Sequence, residues 1–192
     1  MEVSPAEKRS FLIRQLLRGL LFLAVLIGLF LIFNKIFPEE LRERWFSSIY
    51  DNTKLVIAVF VGSEILFGIV PPEVFMLWAF RTGHLGNYYL SIGVLSIISY
   101  LAGVFNFFLG RRIKDTLLFI KIRRLWLRKS LLLFEKYGEY LVIVASVTPI
   151  PFSAIALLSG AGNLDPRKYL KFSLWRIVRF FVYAFILYQA SI

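Results

Sequence analysis

Gly68-Ile69-Val70-Pro71-Pro72-Glu73 and Val147-Thr148-Pro149-Ile150-Pro151 each set two prolines inside an apolar stretch. A proline inside a helix removes a backbone hydrogen bond and clashes with the preceding turn, so each stretch reads as two helical limbs joined at a break. The surroundings decide what such breaks are for. Residues 19–33 are apolar without interruption, 58% of the chain is hydrophobic and its mean hydropathy is +0.71, more than the core of a soluble domain of 192 residues requires. With Leu16, Leu17 and Phe37 the run reaches about 20 residues, enough to cross roughly 30 Å of hydrocarbon. Arg18 and Lys35 stand at its ends, where long cationic side chains snorkel to the headgroups. A cleavable leader is shorter and carries a small-residue cleavage site, so this run is expected to be an anchor.

The net charge of +11 admits nucleic acid as a partner, but the basic residues lie between the apolar stretches, where they orient a chain in a membrane. No nucleic-acid binding is expected. The chain has no cysteine, which excludes disulfides, thiolate nucleophiles and thiolate metal sites. Its one histidine, His84, falls in a short loop, and there is no HExxH, P-loop or GxSxG pattern. Enzymatic chemistry, a metal and a cofactor are therefore not expected.

The expected fold class is an all-α integral membrane protein, a polytopic helical bundle with two inverted re-entrant hairpins. Residues 1–54 form the anchor and an acidic-leaning interfacial segment with Trp45 and Tyr50. Residues 55–192 form the core: a hairpin over 55–80, a span over 88–109, a basic amphipathic segment over 110–138, a hairpin over 140–162, then a short basic loop and a last span over 173–192. The basic segment carries nine Lys or Arg against Asp115 and Glu135, interleaved with Leu117, Ile120, Trp126 and Leu127, and reads as a helix lying on the membrane surface.

Parity makes the hairpins re-entrant. The basic N-terminus (Lys8, Arg9, Arg14, Arg18) and the segment 110–138 both favour the cytoplasmic side, so an even number of crossings separates them. Three apolar stretches lie between, and only 55–80 has a built-in break. Its second limb, Pro72 to Phe80, would be about 13 Å long as a helix, too short to span. The cluster Arg167, Lys168, Lys171 and Arg176 imposes the same return on the second broken stretch. Single proline-kinked spans are the other reading. Aligning Pro72 on Pro151 brings Gly83 onto Gly162 and Leu85 onto Leu164, as an inverted repeat would, with a site where the broken elements meet near the midplane.

Glu64 lies inside an apolar limb, where a carboxylate is protonated, paired or wet, and it is the expected proton carrier. Glu73 follows the first break at the start of a limb, a position that also suits a simple helix cap. Arg179 is the counter-charge expected for one of these carboxylates, because a span starting after it would be too short, and Arg176 shares its face. Snorkelling to the interface is the competing reading for Arg179. Free backbone N–H groups at the hairpin breaks Pro71, Pro72, Pro149 and Pro151 would receive an anionic headgroup or lipid phosphate. Ser146, Thr148, Ser153, Ser159, Gly160, Gly162, Asn106 and Arg111 complete the expected lining, unless the hydroxyls satisfy their own backbone.

Several stretches together resemble the DedA superfamily, also called the VTT or SNARE-associated domain. They are GSEILFGIVPPEVF, Asn106-Phe-Phe-Leu-Gly110-Arg111, Phe134-Glu-Lys-Tyr137-Gly138, and VTPIPFSAIALLSGAG followed by Asp165-Pro166-Arg167-Lys168-Tyr169. The likeness covers about residues 55–190 and is closest in motif detail to the YqaA-like branch. It implies two inverted re-entrant hairpins, acidic residues coupled to the proton gradient at Glu64 and Glu73, and transport or scrambling of lipids, including polyprenyl phosphate. Many members carry arginines flanking the second proline motif, where this chain has Ser146 and Phe152. The expected function is a proton-coupled lipid transporter or flippase of a bacterial inner membrane, with lipids and protons as partners and a homo-oligomer as a further expectation. Export of small cationic drugs, or a non-transporting scaffold with a lipid-binding basic helix, are the other readings.

Overall fold

The computed structural model describes residues 4–36, 52–66, 68, 70–83, 86–117, 119–121 and 127–191. The interfacial segment with Trp45 and Tyr50, His84, Leu85, Trp126 and the side chain of Lys35 lie outside the described residues. All regular structure among the described residues is helical: α1 (Pro5–Ile36), α2 (Thr53–Ile65), α3 (Pro72–Thr82), α4 (Tyr88–Ile113), α5 (Arg128–Tyr137), α6 (Tyr140–Val147), α7 (Phe152–Ala161), α8 (Pro166–Ser173) and α9 (Trp175–Ser191). Two of these, α1 over Pro5–Leu29 and α4, are long and apolar enough to cross a membrane.

Both proline motifs break a helix. Between α2 and α3, Gly68 takes a φ of 68°, a left-handed conformation open to glycine at little cost, and its N–H reaches the Ser63 carbonyl at 2.7 Å. The Ser63 hydroxyl accepts from the Val70 N–H at 2.7 Å and donates to the Val70 carbonyl, so one serine stitches the break closed. Pro71 then caps α3 and Pro72 occupies its first turn, where a missing N–H does no harm. Between α6 and α7, Thr148 is extended, as a residue before proline must be, and Pro151 caps α7. The second limbs match in length, 11 residues for α3 and 10 for α7, and Gly83 and Gly162 occupy their C-caps. Phe60 and Phe75, 4.8 Å apart, fold α2 back on α3.

The region after α4 corrects the sequence reading. The basic segment 110–138 is not one helix: α4 carries Gly110, Arg111 and Arg112 in its last turn and ends at Ile113. Thr116 causes the break. Its N–H and hydroxyl both bond the Ile113 carbonyl, and its oxygen then accepts the Phe119 N–H as a cap for the next turn. The segment also does more than lie on a surface, since Leu127, Leu131 and Phe134 pack on Ala154, Leu157 and Leu158 of α7. Residues 166–173, expected as a basic loop, form α8, started by Asp165 as N-cap and Pro166 at the first helical position. The last apolar helix begins at Trp175, so α9 has 17 residues, about 26 Å at 1.5 Å per residue.

Packing is organised around α4. One face is buried through Ser91, Ile92, Leu95, Ser99, Ala102, Asn106 and Phe107; the other exposes Leu90, Ile97, Leu101, Phe105 and Phe108 at helical spacing. Matching apolar stripes are exposed on α1 (Leu17, Leu21, Val25, Leu29) and α9 (Val178, Val182, Phe185). Surfaces of this kind belong against lipid. Against α7, α4 approaches to backbone contact: a Cβ on Gly110 would collide with the Leu157 carbonyl, and one on Gly160 with that of Phe107. Tyr169 of α8 stacks on Phe107 at 4.2 Å and donates to the Gly103 carbonyl at 2.9 Å, holding α8 across the same seam. α1 is fastened at its start by a stack of Phe11 on Tyr137 and by the Glu7–Lys136 pair, and it passes beside Pro149 and Tyr183 at Gly19.

The α4–α7 seam generates a stability prediction. Gly110→Ala and Gly160→Ala meet backbone, which cannot rotate away, so each is expected to destabilise the protein in detergent by at least the ~1–3 kcal/mol typical of overpacking. Gly62→Ala, on a helical position open to space, is expected to be neutral or stabilising by up to about 1 kcal/mol. Thermal unfolding of the three variants measures the contrast.

Candidate functional site

The two breaks meet, and the last helix holds them together. Arg176 and Arg179 lie one turn apart on α9, both buried, with exposures of 4% and 7%. Arg176 Nη2 donates to Glu64 Oε2 of α2 at 2.5 Å, and its Nε donates to the hydroxyl of Ser99 on α4. Arg179 Nη2 donates to Glu73 Oε1 of α3 at 2.8 Å, and its Nη1 to the Thr148 carbonyl at the second break, at 2.7 Å. A third link joins the broken units directly: Ser153 on α7 donates to the Glu64 carbonyl at 2.5 Å. Aromatic faces cover the cations, Phe152 lying 4.5 Å from the Arg176 guanidinium and Tyr183 4.8 Å from that of Arg179.

Between the breaks lies a cavity of about 280 Å³. Its wall contains both ion pairs, Gly68 and the prolines of both motifs, with Ile150, Phe152, Ser153 and, from α1, Phe22. Glu73 is 1% exposed, and its Oε2 is buried without a hydrogen-bond partner among the described residues. Two cations and two carboxylates leave the described lining with no net formal charge.

The sequence candidates divide into those that reach this cavity and those that do not. Glu64, Glu73, Arg176, Arg179, Pro71, Pro72, Pro149, Pro151 and Ser153 line it. Ser146, Thr148 and Ser159 do not: each hydroxyl bonds the carbonyl one turn back, of Val142, Val144 and Ile155, at 2.7 Å. This is the self-satisfying geometry open to hydroxyls on apolar helices. Gly160 and Gly162 serve packing, the first against α4 and the second against Phe134. Asn106 donates to the Ala102 and Ile65 carbonyls, tying α4 to the end of α2. Arg111 lies over Phe107, away from the cavity. At the first break the N–H groups of Gly68, Val70 and Val74 already bond the chain, whereas no side chain caps the start of α7 at the second. Ser63 and Ser99 were missed. The signal for Ser99 is its position on the α4 face opposite the lipid-facing stripe, where a hydroxyl needs a polar partner.

Residues 70–189 match the family model of the VTT domain. No curated protein and no solved structure matches the chain. The matched region begins at the first proline motif and takes in Glu73, both arginines and the whole second broken unit, while α1, α2 and Glu64 lie before it.

The geometry predicts strong coupling within the Arg179–Glu73 pair. Removing one member leaves a buried charge uncompensated, at a cost of about 3–5 kcal/mol, whereas removing both is far milder. Arg179→Gln and Glu73→Gln are each expected to lower stability in detergent more than the double variant does. A double-mutant cycle on unfolding reads this, and strict additivity would contradict it.

Proposed function

The chain belongs to the VTT-domain family, the DedA superfamily, whose members are membrane proteins, and on that premise we propose that it moves a lipid headgroup across the bilayer together with protons. The observation that carries this reading is the junction of two broken helical units at a cavity walled by two buried ion pairs. At about 280 Å³ the cavity falls just below the 300–1,000 Å³ of sites that enclose a drug-sized ligand, and it suits a phosphate-bearing headgroup whose chains stay in lipid. A scaffold needs no such buried charge.

In this reading the arginines are the phosphate ligands, and coupling follows from competition. A phosphate that claims Arg176 takes the counter-charge of Glu64, and a carboxylate abandoned in a protein interior takes up a proton. Binding therefore consumes a proton and release returns it, so acidifying the loading side accelerates movement. Both broken units are re-entrant hairpins in this account, and the membrane is the bacterial inner membrane.

Two experiments test the reading. In proteoliposomes carrying acyl-labelled lipids, movement should rise with a proton gradient, and Glu64→Gln should insert and fold yet lose the gradient response. Unchanged gradient dependence in that variant would make Glu64 structural, and movement of small organic cations without lipids would favour drug export. For topology, single cysteines at 54, 84 and 121 in this cysteine-free chain report the side of the membrane by impermeant labelling. Positions 54 and 84 are expected on one side and 121 on the other; 54 and 84 on opposite sides would make 55–80 a kinked span.

A further inference from the structure

A second hollow, of about 510 Å³, lies on α1, before the residues that the family model matches, and shares no lining residue with the ion-paired cavity. Its described lining is Ala6, Arg9, Ser10, Ile13, Arg14 and Leu17. Residues recurring at three- and four-residue intervals occupy one face of a helix. That face points away from the core. The other side of α1 carries the buried Gln15 and Leu23 and the stack of Phe11 on Tyr137, whereas Ile13 and Leu17 are 47% and 62% exposed. One turn further on, Leu21 is 67% exposed, so a single surface runs from an apolar strip to two guanidiniums and a hydroxyl.

The length of α1 sets the depth of this surface. Its 32 residues measure about 48 Å at 1.5 Å per residue, against roughly 30 Å of hydrocarbon. The uninterrupted apolar run begins at residue 19, and Arg14 precedes it by about 7.5 Å along the axis, the depth of the headgroup layer. Arg9 and Arg14 make no ion pair among the described residues, whereas Glu7, the one acidic residue of α1, is held by Lys136 at 2.7 Å. Two unspent guanidiniums above an apolar strip complement an anion that carries acyl chains. Guanidiniums take phosphate oxygens in pairs, the Ser10 hydroxyl adds a donor, and the strip receives a chain. A free anion leaves the strip bare. A second copy of this chain, packed through the same face about a two-fold axis along the membrane normal, would set arginine against arginine.

We propose that this face of α1 binds an anionic phospholipid of the surrounding bilayer, with the phosphate on Arg14 and Arg9 beside Ser10 and an acyl chain along Leu17 and Leu21. The lipid held there seats α1 in its leaflet. Its binding does not depend on what the cavity between the breaks carries, and so stands or falls apart from the transport reading.

Binding to the purified full chain in neutral detergent tests this, read by native mass spectrometry and by unfolding temperature. The probes are phosphatidylglycerol, phosphatidylcholine and, in a separate arm, inorganic phosphate. Phosphatidylglycerol should bind about tenfold more tightly than phosphatidylcholine. The double variant Arg9→Gln, Arg14→Gln should retain one phosphatidylglycerol fewer, its affinity at this face reduced about tenfold or more. The double variant Arg128→Gln, Lys129→Gln removes the same two charges from exposed positions of α5 and should stay within about twofold of the unaltered protein. Lysine at both positions 9 and 14 should restore most of the binding. Equal loss in the two glutamine doubles would reduce the effect to net charge, and unchanged binding in the α1 double would leave the face unoccupied; either overturns the proposal. Inorganic phosphate that displaces the lipid at millimolar concentration would make this a free-anion site. Disulfide-linked dimers from Ile13→Cys in native membranes would give the face to a second copy. Each of these two outcomes also overturns it.

Discussion

The junction of the two broken helical units depends on two buried ion pairs presented by one helix. Burying four charges is expensive, each ion forfeiting several kcal/mol of hydration even after relaxation, and the pairs return it only through close geometry and additional hydrogen bonds. The structure supplies both. Arg176 is held by Glu64 and Ser99 beneath Phe152, and Arg179 by Glu73 and the Thr148 carbonyl beneath Tyr183. Because the acceptors come from α2, α3, α4 and the second break, the arginines fix four separate elements around one point. The exposed pairs Glu7–Lys136 and Lys168–Glu139 differ in kind: partner carboxylates raise the lysines above their ordinary range, but solvent screening leaves such contacts a small part of stability.

The breaks make that point possible. A continuous helix would satisfy its own backbone and offer nothing but side chains, whereas a helix interrupted by two prolines ends inside the protein and exposes carbonyls such as that of Thr148. The cost is limited by local stitching, by Ser63 around the first break and by Thr148 on its own helix before the second. The glycines at the α4–α7 seam serve the same end. By letting backbones touch at Gly110 and Gly160, they seat α7, and with it Ser153 and Phe152, deep enough to reach Glu64 and Arg176.

Much of this was legible in the residues because the signals were physical. Proline pairs inside apolar runs mark breaks, Glu64 and Arg179 in apolar surroundings demand partners, and Arg176 shares a face with Arg179 by spacing alone. Which carboxylate meets which arginine was not legible, since it depends on how α9 crosses the breaks. Nor were the idle hydroxyls of Ser146 and Ser159: a serine on an apolar helix has a carbonyl one turn back as a ready partner, and only the packed structure shows whether anything better lies within reach. The helix α8 was legible and overlooked. Asp165-Pro166 is a helix start, but the charge of Arg167, Lys168 and Lys171 suggested a loop.

The two proline breaks wall one cavity and are clasped by the arginines of α9. Short thiol-to-thiol crosslinking in native membranes tests this, with cysteines at Pro71 and Ile150, two residues of the same cavity wall, and at Glu7 and Lys136 as a reference pair whose native charged tips lie 2.7 Å apart. Both pairs are expected to crosslink, and Arg179→Gln is expected to weaken the Pro71–Ile150 link while sparing the reference. A reference pair that crosslinks beside a Pro71–Ile150 pair that never does would place the breaks apart and contradict it.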